Sequence, residues 1–159
     1  MPVFPSVEWF EALRNLVNND PAYVHLGTCD AEVGVHIPDL RKCYLITFEV
    51  FECTGVREIT PQELAHADFW LEMDYARWRE MIENIRVTIG HPDSRHSLNT
   101  LNYALAQPLA RGADGLKLDL FYRFNQSFQH FFNSAAKVET SFAEKGNATG
   151  ERSTANPNR

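Results

Sequence analysis

Two histidines and a carboxylate fall within the six residues His91-Pro92-Asp93-Ser94-Arg95-His96. An imidazole oriented by a carboxylate is the usual general base, and the same donors can hold a metal ion. The common zinc spacings, HExxH among them, do not occur, and no carboxylate cluster lies nearby in sequence, so no metal is expected. Asp93 and His96 are the acid–base pair that an enzyme acting on a small hydrophobic metabolite would use. A plainer role is capping: Asp93 or Ser94 accepts from the free amides of the next helix while the histidines stay solvated. Between these lies a third role, the polar end of a ligand pocket.

The second constellation is aromatic. Phe121, Phe124, Phe128 and Phe131 are spaced three, four and three apart, one seam of a helix, with Tyr122 and Phe132 beside it. Such a stripe is ordinary core unless its partner surface is also aromatic. Rows of phenylalanine facing one another are hard to pack densely, and aromatic-lined concavities are where apolar small molecules bind. Trp70 adds a large side chain on the sheet face opposite Phe69, Leu71 and Met73, suited to a second helix layer or a subunit interface.

No other chemistry assembles from spacing. GxSxG is absent, Arg111-Gly112-Ala113-Asp114-Gly115 lacks the strand-then-helix setting of a phosphate loop, and Cys29, Cys43 and Cys53 form no CxxC. No cofactor is therefore expected. The balance of 15 Lys and Arg against 21 Asp and Glu gives a net charge of -6, which argues against nucleic acid and anionic lipid as partners. No stretch is apolar for the length of a bilayer, and the start has no basic-then-apolar leader, so the expected place is the cytoplasm and not a membrane.

The elements that would position these groups follow from periodicity. Ser6 to Val17 reads as a capped amphipathic helix, with a short helix after Pro21. Strict alternation marks strands at Ala31 to Ile37, Tyr44 to Phe51 and Asp68 to Met73, with a weaker one at Cys53 to Ile59 and a bulge at Gly55. Helices are predicted over Tyr75 to Ile85, Ser97 to Ala106 and, as one long element, Leu116 to Val138. Thr88 to Arg95 and Pro108 to Gly115 read as loops. The whole is one α+β domain over residues 1–142, a mostly antiparallel sheet of about five strands covered on one face by helices. Residues 143–159 lack large apolar side chains after Phe142 and are predicted to be a disordered tail.

The segments FPSVEWFEALRNLVNNDPAY, YLITFEVFEC, ADFWLEM before a helix with Trp78, DSRHSLNTLNY and FYRFNQSFQHFF resemble the sterol carrier protein type-two-like family, most closely its small stand-alone bacterial members. The resemblance spans roughly Phe4 to Val138. It implies a five-stranded sheet with helices on one face, an apolar tunnel between the layers, and non-covalent binding of sterols, fatty acyl chains or acyl-CoA. The Lys-containing segment common in the transfer domains is only faintly echoed by Gly115-Leu116-Lys117-Leu118. Asn99, Asn102, Asn125 and Gln126 make this chain more polar than a pure lipid tunnel.

The expectation is thus a module for binding, or binding and transferring, a hydrophobic small molecule or acyl chain. Its lining would be Val33, Val35, Phe48, Phe69, Leu71, Trp78, Asn102, Phe124, Phe128 and Phe131. A homodimer, or service as an accessory subunit of a partner enzyme, is the further possibility.

Overall fold

The computed structural model describes residues 1–144; the tail expectation lies, from residue 145 on, outside the described residues. A short strand β1 (Val3–Phe4) leads into α1 (Val7–Asn18). Ser6 starts this helix by accepting the Trp9 N–H at 3.0 Å, which satisfies one of the orphan amides of the first turn. The buried stripe is Trp9, Phe10, Leu13 and Val17. Asp20 caps α2 (Pro21–Leu26) in the same way through the Ala22 N–H at 2.9 Å, with Pro21 at the first position.

The strands β2 (Ala31–Ile37), β3 (Lys42–Glu49) and β4 (Glu52–Ile59) form an antiparallel meander, and β5 (Phe69–Glu72) returns to pair parallel with β2. After α3 (Tyr75–Val87) and α4 (Leu98–Ala104), a two-residue strand β6 (Ala110–Arg111) adds to β5. The sheet order is β4-β3-β2-β5-β6. Next come α5 (Gly115–Arg123) and α6 (Asn125–Asn133), then β7 (Ser141–Phe142), which pairs parallel with β1.

Alternation sorts the sheet into two faces. Ala31, Val33, Val35, Ile37, Tyr44, Ile46, Phe48, Phe69 and Leu71 are buried in the main core with the helices. On the other face Cys43, Leu45, Ile59, Leu64 and Ala67 form a second small core, closed by the 3-10 segment Pro61–His66. Trp70 packs there, and its indole N–H donates to Glu72 at 3.2 Å. The aromatic surface that the sequence leaves looking for a second layer is covered by the chain itself.

Four expectations shift. The predicted long helix is two helices meeting at Phe124 (φ -117, ψ 26), followed by a 3-10 turn at Ser134–Lys137. The loop expected at Pro108 to Gly115 contains β6. Strand β3 begins at Lys42 and ends before Val50, leaving Phe51 62% exposed in the turn. The irregularity in β4 falls at Thr54: Thr47 opposes Gly55 while Phe48 opposes Cys53, so Thr54 is the extra residue beside the expected glycine.

Candidate functional site

The layer between sheet and helices is a chain of aromatic contacts. Rings meet from Trp9 to Phe4 (4.7 Å), Phe4 to Trp78 (6.4 Å), Trp78 to Phe132 (5.7 Å) and Phe132 to Phe131 (5.4 Å). From there Phe131 meets Phe48 (5.2 Å), Phe48 meets Phe128 (5.3 Å), Phe128 meets Phe69 (5.3 Å) and Phe69 meets Phe121 (5.9 Å). Most of these pairs are edge-to-face, the arrangement ring quadrupoles favour.

Of the expected lining, Phe48, Phe69, Phe128 and Phe131 come together in one cluster, with Phe121 as a fifth ring. Val33, Val35 and Leu71 lie buried beneath it on the two central strands, with Val33 paired to Phe69 and Val35 to Leu71. Trp78 sits farther along and donates to the His36 carbonyl at 3.3 Å. Phe124 is half-buried at the break between α5 and α6 and is not on the continuous seam. Phe128 and Phe131 are 2% and 0% exposed.

The break separates two elements of unequal anchorage. α6 buries Ser127, Phe128, Phe131 and Phe132, whereas the equally long α5 buries only Phe121 and leaves Leu116 85% exposed. Three buried polar atoms make no hydrogen bond among the described residues: Tyr23 Oη, Thr28 Oγ1 and, at the start of α6, Asn125 Nδ2. Gly27, next to Thr28, accepts from the Ser127 hydroxyl of α6, and α2, which carries Tyr23, packs on α6. Burial pushes the Tyr23 hydroxyl well above its ordinary value, so it stays a donor. Tyr23 and Thr28 carry no spacing signal and escaped sequence reasoning; Asn125 stood out as a buried-amide candidate.

Asn102 is buried, with both ends of its amide used: Nδ2 donates to Tyr122 Oη at 3.1 Å, and Oδ1 accepts the Ala110 N–H at 2.8 Å. It ties α4 to β6 and α5. Asn99 and Gln126 are exposed.

Asp93 and His96 do meet, at 2.6 Å through Nδ1, but Nε2 of the same ring faces Glu80 of α3 at 2.7 Å. Asp93 is further held by Asn84, whose side chain both donates to it and accepts its N–H. Burial lowers the affinity of His96 for its proton, while hydrogen bonds to Asp93 and Glu80 raise it, with a net upward shift; the His96 bond in turn lowers Asp93. With both ring nitrogens engaged by carboxylates, the imidazole has none left to take a substrate proton. The arrangement clasps the loop to α3. The helix cap expected of Asp93 or Ser94 is supplied instead by Ser97, whose Oγ accepts the Thr100 N–H at 3.2 Å.

Burial pushes Cys43 up to about 11 and Cys53 up to about 12, so both stay thiols rather than nucleophiles. Among the described residues no helix is long and apolar enough to cross a membrane.

The fold matches that of two solved structures. A crystal structure of sterol carrier protein 2 superposes with a TM-score of 0.58 at 17% identity, covering 84% of this chain and 98% of that one. This is the sterol carrier protein fold. A conserved hypothetical protein from Thermus thermophilus, itself a candidate sterol carrier protein, superposes with a TM-score of 0.59 at 20% identity, covering 86% of this chain and 90% of that one. No family model matches the chain, and no curated protein does. In sterol-carrier terms, the aromatic layer lies where the sequence resemblance placed an apolar tunnel.

Proposed function

We propose that the protein binds a hydrophobic small molecule or acyl chain between the sheet and the helical layer. The observation that carries this is the junction at Phe124. A nine-residue helix with one buried side chain covers the ring layer, and three buried polar atoms without a hydrogen-bond partner lie on α6 and on the α2 segment that packs against it. Buried polar groups without partners cost free energy, and a ligand head group would supply what Tyr23, Thr28 and Asn125 lack. An element with so little burial opens locally at low cost. Swinging α5 outward removes Phe121 from the layer and makes room for a chain against Phe69 and Phe128. Ten buried methylenes contribute roughly 8 kcal/mol, the micromolar range, less the cost of moving α5.

The test is displacement of a fluorescent fatty acid by sterols and by unlabelled chains of graded length, with amide NMR shifts followed on the same samples. Saturable binding with shifts at Thr28, Phe121 and Asn125 supports the reading. Absence of binding at every chain length, with Phe121 and Phe128 unmoved, defeats it.

A further inference from the structure

Two polar contacts tie side chains of α5 to other elements, and they lie near opposite ends of the helix. Near its start the Lys117 ammonium meets Asp68, the residue before β5, at 3.6 Å. Near its end Tyr122 Oη accepts from Asn102 Nδ2 at 3.1 Å. Between them Phe121, one helical turn after Lys117, sets its ring against Phe69, the neighbour of Asp68, at 5.9 Å. The ion pair therefore stands beside the aromatic contact that has to part before anything enters the ring layer.

The two ties differ in what breaking them costs. The Lys117 and Asp68 side chains are 55% and 22% exposed, so each gains water as it loses the other, and Asp68 keeps the Glu32 N–H at 2.7 Å. Exposed ion pairs add little to stability and are screened by salt. Asn102 is 4% exposed, and its Oδ1 is fixed on the Ala110 N–H of β6 at 2.8 Å, so the amide is not free to follow a departing phenol. Its Nδ2 would stay buried without an acceptor, which costs the desolvation of that donor. The backbone has the same bias. At its end α5 passes through the single residue Phe124 into the well-buried α6. Before its start lies Gly112-Ala113-Asp114-Gly115, and a Cβ at Gly115 would meet no atom within 4 Å.

We infer that α5 opens from its first turn, with Lys117–Asp68 as the latch and Asn102–Tyr122 as the pivot, so that ionic strength controls entry to the ring layer. This rests on the reading that a ligand lies beneath α5. While the latch is closed, Phe121 is held against Phe69. Once it parts, the first turns of α5 lift, Phe121 leaves Phe69, and the helix turns about Phe124. A ligand lodged under the raised helix binds the parted state alone. Weakening the latch therefore raises the open population, the rate of entry and the affinity by one common factor.

The test combines stopped-flow binding of a pyrene-labelled fatty alcohol, an uncharged probe, with amide hydrogen exchange on the ligand-free full chain. Between about 50 mM and about 500 mM sodium chloride, wild type is expected to take up the probe about threefold faster, with its dissociation rate unchanged. Lys117→Met is expected to be fast at both concentrations, which separates the latch from any general effect of salt on an apolar probe. Tyr122→Phe lowers the melting temperature and leaves the entry rate and its salt dependence as in wild type. Without ligand, the amides of Leu118 to Phe121 exchange about threefold faster in Lys117→Met, and that of Phe124 does not. Faster entry in Tyr122→Phe with none in Lys117→Met overturns the assignment of latch and pivot. Unchanged exchange of Leu118 to Phe121 in Lys117→Met overturns it whatever the probe does. Quickened exchange there in a protein that never binds the probe upholds the latch and defeats the interlayer reading.

Discussion

Trp9 donates its indole N–H to the Thr140 hydroxyl at 3.0 Å, a buried bond between residues 131 positions apart. Thr140 passes the interaction on to the Val138 carbonyl at 3.1 Å, so α1 and the chain before β7 share one polar strut inside an apolar core.

Replacing Thr140 with valine keeps the shape and removes the acceptor. The buried indole N–H is then unpartnered, and the expected loss is about 1–3 kcal/mol of unfolding free energy in urea. A loss below a few tenths would mean that the indole finds another acceptor.

Gly34 has no room for a methyl group. A Cβ there would lie 2.6 Å from Leu64 Cδ2 and 2.8 Å from Trp70 Cβ. Gly34→Ala should cost about 1–3 kcal/mol, in the range of core overpacking. Adding Leu64→Ala should recover only part, since the Trp70 Cβ is fixed by the neighbouring strand. Full recovery would show that the 3-10 cover, and not the sheet, sets the limit.

The His96 clasp sets a pH window. Its proton is held more tightly in the folded chain than at the ordinary value of 6.5, so its stabilisation is complete below that value and is lost as pH rises through the higher folded one. Asp93 is held below 3.8, so its share is present above 3.8 and lost as pH falls through the lowered value. Imidazole NMR should place the His96 midpoint above 6.5. Wild type should lose its advantage over His96→Gln as pH rises above 6.5 through the raised His96 midpoint. Parallel stability curves for the two proteins would remove the clasp from the account.

Hydrogen exchange should rank the two final helices differently. Amides of α5 are expected to exchange through local opening, well ahead of those in α6, β2 and β3. If α5 exchanges only with the global transition, its role as a movable cover fails.

Sequence carried the parts of this fold that are set by neighbours along the chain. Ser6 and Asp20 announce the helices they cap, and alternation over Ala31 to Ile37 fixes which face of β2 is inside, because a slip of one residue would invert it. What it missed depends on distant partners. The break at Phe124 has no glycine or proline to mark it. It arises because α5 packs on β5 and β6 while α6 packs on α1, α2 and α3. Strand β6 is two residues long, and Ala110 is held there by Asn102. Glu80 reaches His96 only because the loop folds back along α3. In the aromatic layer, helical spacing identified Phe128 and Phe131 as inward-facing but could not show that Phe48 and Phe69 fill the space between them.

The parallel pairing of β2 with β5 orders events during synthesis. Val33 has no neighbour on that side until Phe69 has been made, and the rings of Phe48 and Phe69 have no cover until Phe128 and Phe131 follow. The sheet thus leaves the ribosome before the helix that shields it. For that interval its aromatic face is open to self-association or to a chaperone, so a chain truncated before Phe128 is expected to be far more prone to aggregate than one ending after Val138.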